Sequence, residues 1–280
     1  MFDSKQEPKL IIFTTCKPFI DDDAWRQEQA IRSWLELKGI EIKIIVLGND
    51  FGTKDVCEKY NLIHEPIIKS IEGVPYLNDM FIIANKYANK EDVMLWTNSD
   101  MIFFNDIIES IKNFKKQFPY EDNYALFGSR IDWANPKILD NFNHFFQNIK
   151  INNGSVTDVL HTDSSHHECY LHAPCGIDYV IHSKSTYENR IDPNLVIAGT
   201  GHDMILVGTA IKKDFLTCDI SESCKVIHQN HGYKFKIYGH GGNIPECKKL
   251  IENNQKCTGH KSTITNSKYK MNKNFDIIKK

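Results

Sequence analysis

Strand-length apolar runs alternate with helical patterns through the first hundred residues, and this alternation constrains the fold more than any other property of the chain. Lys9-Leu10-Ile11-Ile12-Phe13-Thr14 is one such run, and residues 42–47 and 93–97 follow the same pattern. Runs of this kind fit buried strands. After the first run, Asp21, Asp22 and Asp23 precede Trp25, Ala30, Ile31, Trp34, Leu35 and Leu37 at helical spacing. Acids in that place suit a helix N-cap and first turn. A short helix carries Val56, Cys57 and Tyr60, residues 62–65 form a brief strand, and residues 76–87 form a helix with Met80, Ile83, Ala84 and Tyr87 on one face. Alternation of this kind predicts an α/β fold, a mostly parallel, doubly wound sheet flanked by helices. Right-handed crossovers then bring the loops holding Thr15, Asn49 and Asp100 to one sheet edge.

The second half is less regular. Residues 106–118 read as a helix, 124–130 as a strand with a polar end, and 136–149 as a helix. Residues 152–174 are polar and rich in histidine. They predict a long loop, of which the part near His161 to Pro174 lies over the sugar or acceptor site and is mobile without ligand. Residues 178–182 form a strand, Gly201-His202-Asp203 opens a helix through Met204, Ile205, Val207 and Ile211, and residues 226–228 form a last strand. From residue 245 the composition turns to Lys, Asn and Thr, which predicts a surface extension or partly disordered tail. The expected organisation is one catalytic domain over residues 1–244, with halves 9–120 and 121–244, followed by an extension over 245–280.

Bulk properties exclude some functions. A formal charge of -2 over 280 residues offers no partner surface to a polyanion, so no nucleic acid is expected. No apolar run is long enough to predict a membrane span. The start of the chain is polar and acidic, unlike a signal peptide, so a cytoplasmic location is expected. The 8 cysteines contain no C-x-x-C pair and read as free thiols of a reducing compartment. His166, His167, Cys169 and Cys175 crowd together, and zinc there stays open although the spacing matches no common finger.

The stretch Val93-Met94-Leu95-Trp96-Thr97-Asn98-Ser99-Asp100 carries the chemistry. It puts Asp100 at the carboxyl end of a buried strand, where open α/β sheets bind ligands. A carboxylate there is placed to hold a divalent cation against phosphate oxygens. Asn98 and Asp100 also suit an ordinary turn, and both readings stand at this point.

Four elements, in order, resemble nucleotide-sugar-dependent glycosyltransferases of the GT-A fold over residues 9–240. They are Thr14-Thr15-Cys16-Lys17-Pro18, Asn98-Ser99-Asp100 as a D-x-D variant, Gly201-His202-Asp203-Met204-Ile205-Leu206, and Ile227-His228-Gln229-Asn230-His231. The resemblance implies transfer of a sugar from a UDP-sugar to a hydroxyl of a glycan or glycoconjugate acceptor. It implies Mn²⁺ or Mg²⁺ held by Asp100 with His228 or His231. Asn98 stands where the motif has its first acid, so an amide there reaches a ribose hydroxyl or a metal-bound water rather than the metal. Thr15, Lys17, Asn49, Asp79, Asn98, Ser99 and Arg130 are implied donor-binding residues. Asp203 matches the general base of inverting members, and Asp132 is the other candidate. Each has a plainer alternative. Asp203 also suits a helix cap, Arg130 a bridge to Asp132, and Trp133 a core position rather than a sugar platform.

Two other classes stay in view. A sugar-phosphate nucleotidyltransferase shares this kind of sheet, but its first loop needs glycines to hold a triphosphate, and Thr14-Thr15-Cys16-Lys17 has none. A non-catalytic nucleotide- or carbohydrate-binding module is the third reading, because fold does not fix function.

Overall fold

A computed structural model describes residues 7–133, 169–197, 201–229, 252, 254, 256, 257 and 259–280. In chain order its elements are β1 (Lys9–Thr15), α1 (Asp21–Leu35), β2 (Glu41–Leu47), α2 (Thr53–Tyr60), β3 (Ile63–Glu65), β4 (Ser70–Ile71), β5 (Val74–Pro75) and α3 (Leu77–Asn85). There follow β6 (Val93–Thr97), β7 (Met101–Ile102), α4 (Asp106–Gln117), β8 (Tyr124–Phe127), β9 (Ile131–Trp133), β10 (Cys169–Leu171) and β11 (Tyr179–Ser183). The last are α5 (His202–Lys212), β12 (Leu216–Asp219), β13 (Ile227–Gln229), a 3-10 turn (Ile264–Asn266), β14 (Tyr269–Met271) and β15 (Ile277–Lys279).

Nine strands form one mostly parallel sheet in the order β15-β14-β12-β8-β11-β6-β1-β2-β3. Alternate residues of its central strands enter two separate cores. Leu10 and Ile12 of β1, with Val93 and Leu95 of β6, pack with Trp34 of α1, Val56 of α2 and Ile107 and Phe114 of α4. Ile11 and Phe13, with Met94 and Trp96, face Met80 and Phe81 of α3 and Leu206 and Val207 of α5. Helices therefore cover both faces, as the alternation predicts. Each side chain so buried stabilises the fold by roughly 1.5–3 kcal/mol.

Parallel pairing of β1 with both β2 and β6 puts the carboxyl ends of these strands, and with them Thr15, Asn49 and Asp100, on one edge. The acids at the start of α1 act through the helix dipole rather than as a cap. Ile20 is the N-cap, and no side chain bonds the first turn.

The structure departs from the sequence reading in several places, and the last part of the expected 152–174 loop is a strand, β10, paired with β9. β11 runs antiparallel between β6 and β8. β12, which the sequence reading passes over, pairs parallel with β8. β13 leaves the main sheet and joins a four-stranded one, in the order β10-β9-β13-β7. The expected surface tail instead supplies β14 and β15 to the main sheet, with Met271 fully buried and Tyr269 edge-on to Phe118. Strands of three residues hold too few apolar positions to register as a period. Among the described residues no helix is long and apolar enough to cross a membrane. The expected helix over 136–149 and residues 152–168 of the expected loop lie outside the described residues.

Candidate functional site

The small sheet assembles the site. β13 pairs antiparallel with β7, setting His228 opposite Met101, the residue after Asp100. It pairs parallel with β9, setting His228 opposite Asp132. Residues opposite each other in a sheet share a face, so β9 and β13 bring Asp132 and His228 together, and the pairing with β7 brings the Asp100 turn beside them. Gln229 fastens the junction: its backbone N–H and its side-chain amide both donate to the Asp100 carbonyl, at 3.3 and 3.1 Å.

His228 lies between the two carboxylates. Its Nδ1 is 2.8 Å from Asp132 Oδ1, and its Nε2 is 3.6 Å from Asp100 Oδ2. Burial works against the imidazolium, but Asp100 and Asp132 outweigh it and raise His228 above its usual range. Asp132 has no exposed surface. Burial alone pushes its carboxyl up, yet the hydrogen bond from His228 and the guanidinium of Arg130 bring it down to about 2. Arg130 Nε donates to the same Oδ1 at 2.8 Å, and its other face pairs with Asp178. Arg130 thus bridges two carboxylates of the chain, as its plainer reading has it. Trp133 is buried, in agreement with its core reading.

Asp178 also receives the Asn98 side-chain amide at 2.9 Å, and its carbonyl receives the Asn98 backbone N–H at 3.0 Å. The first position of the D-x-D variant is therefore engaged inside the chain. Asp178 holds this geometry at φ +49°, a left-handed conformation that Asp tolerates better than most residues.

Gln27 ties the first loop to the Asp100 turn. Its side chain accepts from Lys17 N at 2.7 Å, donates to Lys17 O at 3.0 Å, and accepts from Ser99 Oγ at 2.8 Å. It is 2% exposed. A signal for it exists in the sequence: Gln27 precedes Ala30, Ile31 and Trp34 at helical spacing, a polar residue on the buried stripe of α1. Asp178 and Gln229 carry no such signal, because their partners are far away in sequence.

Asp203 starts α5 and is buried. Its Oδ1 accepts the Met204 N–H at 2.8 Å and its Oδ2 the Ile177 N–H at 3.3 Å. One bond satisfies a first-turn donor of α5, and the other ties α5 to the residue before Asp178. Gly201, at φ +94°, precedes it, with Lys261 packed 3.1 Å from where a Cβ would sit.

The remaining candidates are spread wider. Thr15 ends β1, beside Gly48. Lys17 Nζ lies 3.8 Å from Asp23. Asn49 is exposed beyond the end of β2. Asp79 accepts the Lys69 N–H at 2.9 Å, which holds the β4–β5 hairpin to α3. His231, His166 and His167 lie outside the described residues. His172, at the end of the expected loop, brings its Nε2 to 4.0 Å from Asp132 Oδ2 and was not among the expected site residues.

The donor set fits a divalent cation that shares its coordination with a ligand. Groups bound at about 2.1 Å from a metal and at right angles to one another sit roughly 3 Å apart, and Asp100 Oδ2 and His228 Nε2 are separated by 3.6 Å. Among the described residues no three His, Cys, Asp or Glu side chains converge as a metal site. Phosphate oxygens and water would supply the rest.

No protein-family model matches the sequence. No curated protein matches it significantly. Solved structures similar to it include S. aureus TarS 1-349 in complex with UDP, at 16% identity and a TM-score of 0.35, covering 44% of this chain and 36% of that one. S. aureus TarS 1-349 alone aligns at 13% identity and a TM-score of 0.44, over 80% and 59% of the two chains. Glucosyl-3-phosphoglycerate synthase from Mycobacterium tuberculosis, in complex with Mn²⁺, UDP and phosphoglyceric acid, aligns at 10% identity and a TM-score of 0.48, over 91% and 87%. The chain thus spans about a third of the UDP-bound TarS chain that it matches.

Proposed function

We propose that this chain is a metal-dependent glycosyltransferase that moves a sugar from a UDP-sugar to an acceptor hydroxyl of a glycan or glycoconjugate, with inversion. The observation that supports this most is the approach of Asp100 and His228 to 3.6 Å at the carboxyl edge of a mostly parallel sheet. One carboxylate and one imidazole form a mixed oxygen and nitrogen set that suits Mn²⁺ and accepts Mg²⁺. When bound, the cation supplies Lewis-acid stabilisation of the charge developing on the leaving diphosphate.

The chain's own residues do the rest. Gln27 keeps the Lys17 loop and Ser99 together, so the donor meets a preformed surface at Thr15, Lys17 and Asn49. Asn98 is held at the same edge by Asp178. Asp203 accepts the proton of the acceptor hydroxyl as that oxygen attacks the sugar carbon. Its two backbone hydrogen bonds hold the carboxylate in one orientation, which keeps the reorganisation needed at the moment of transfer small.

Calorimetric titration with UDP, with and without Mn²⁺, tests the reading. Wild type should bind UDP far more tightly with Mn²⁺ than in chelator. Asp100→Ala should lose that difference while keeping its thermal midpoint. Metal-dependent UDP binding that survives in Asp100→Ala would remove Asp100 from the cation site.

A further inference from the structure

We propose that Asp132 is a positioning residue that orients His228 toward Asp100, and not a base for the acceptor. The inference rests on the cation reading above and adds a role for a residue that cannot touch substrate. Asp132 has no exposed surface, so no acceptor hydroxyl can reach it. What it does touch is specific. β9 and β13 place it directly opposite His228, with Nδ1 and Oδ1 2.8 Å apart. A carboxylate only accepts, so Nδ1 donates. That leaves Nε2 as the outward nitrogen of the ring, 3.6 Å from Asp100 Oδ2.

The carboxylate is itself held from behind. Arg130 Nε donates to the same Oδ1 at 2.8 Å, and Asp178 pairs with the far side of the guanidinium. Asp178 in turn binds Asn98, two residues before Asp100. A chain of charge-assisted contacts therefore runs from Asn98 through Asp178, Arg130 and Asp132 to His228. It closes at Asp100, which Gln229 holds by its carbonyl. The two donors that would face a cation are fixed relative to each other through the buried side chains of Asp178, Arg130 and Asp132. A carboxylate behind a ligating histidine fixes the ring and its tautomer, and loss of such a partner typically weakens metal affinity by about 10–100-fold.

Mn²⁺ affinity in the presence of saturating UDP, read by electron paramagnetic resonance of the unbound ion, tests this without relying on turnover. Asp132→Leu should weaken Mn²⁺ binding by about 10–100-fold. Asp132→Asn, whose amide oxygen still accepts from Nδ1, should weaken it by less than about tenfold by the same scale. UDP affinity in chelator should be unchanged in both. Leucine leaves Arg130 balanced by Asp178, and Asp132→Ala, which adds no bulk, is measured beside it to keep a folded protein in hand. It should show the same loss of Mn²⁺ affinity. A folded leucine variant that binds Mn²⁺ as wild type does overturns the positioning role and leaves the proposed function standing. A wild-type protein that binds no Mn²⁺ with UDP overturns both.

Discussion

The proposed function gives Asp203 a second role beside the structural one that its hydrogen bonds show. Both of its oxygens accept backbone N–H groups, from Met204 and from Ile177, and these bonds alone would account for its burial at the start of α5. The base role adds proton acceptance. Asp203→Asn separates them, because an amide oxygen keeps one of the two acceptors but loses the basicity. Turnover should fall at least about a hundredfold, since general-base catalysis contributes roughly two to four orders of magnitude. Stability should drop by only about 1 kcal/mol, the net worth of one hydrogen bond, and UDP affinity should stay the same. Steady-state kinetics and urea denaturation read these out. Turnover within a few fold of wild type would leave Asp203 with the structural role alone.

α5 and the segment after it form one packed element, and a glycine makes that possible. A Cβ on Gly208 would lie 1.5 Å from the His260 carbonyl oxygen and 2.5 Å from its carbon. Those atoms are backbone and cannot swing aside. Ser262 N–H also donates to the Met204 carbonyl at 3.0 Å, so residues 260–262 run along the helix in direct contact. Alanine is a better helix former than glycine by about 1 kcal/mol, and on an isolated helix Gly208→Ala would stabilise. Here overpacking against backbone, which costs about 1–3 kcal/mol or more, outweighs that gain. The expected result is a lower urea midpoint, with earlier proteolytic cleavage after residue 257. A higher midpoint would show that the terminal segment does not dock on α5.

For the whole molecule, two buried groups set opposing responses to pH. His182 is enclosed by Phe13, Phe81 and Tyr187, and burial pushes it down to about 3. A folded value below the unfolded 6.5 means stability present above pH 6.5 and lost as pH falls toward 3. Asp106 behaves in the opposite sense. Burial raises it to about 7, against the Lys225 N–H that it accepts at 2.7 Å, so its contribution is present below pH 3.8 and lost as pH rises through 7. Between about pH 4 and 6.5 the two slopes offset each other. His182→Phe, which keeps an aromatic ring against Phe81, should remove one of them. Its stability should then rise on acidification from pH 7 to 5, where wild type changes little. Denaturant midpoints across that range decide it, and a variant whose pH profile runs parallel to that of wild type would show that His182 is not the group responsible. Asp132, held near 2, titrates below this window, and His228, raised by Asp100 and Asp132, adds the same slope to wild type and variant, so the difference between them reports His182.

Local patterns carried the α/β class, the order of the main strands and helices up to α4 apart from the β4–β5 hairpin and β7, and the edge where β1, β2 and β6 end. Each of these is set by interactions within a few residues: apolar runs for strands buried on both faces, 3.6-residue stripes for the helices, and polar tips where strands stop. The resemblance singled out Asp100, His228, Asp132 and Asp203 without saying which of them meet. The meeting of Asp100, Asp132 and His228 depends on the small sheet, whose strands of two or three residues pair across large separations in sequence, His228 with Asp132 and with Met101. Strands so short have almost no intrinsic signal, and they persist only because the main sheet and its helices hold the flanking chain in place. The pairing of Arg130 with Asp178 and the insertion of β14 and β15 beside β12 have the same origin. Sequence periodicity reports which face of an element is buried. Which remote element buries it is decided by packing in three dimensions, and that packing put an aspartate with no exposed surface behind His228.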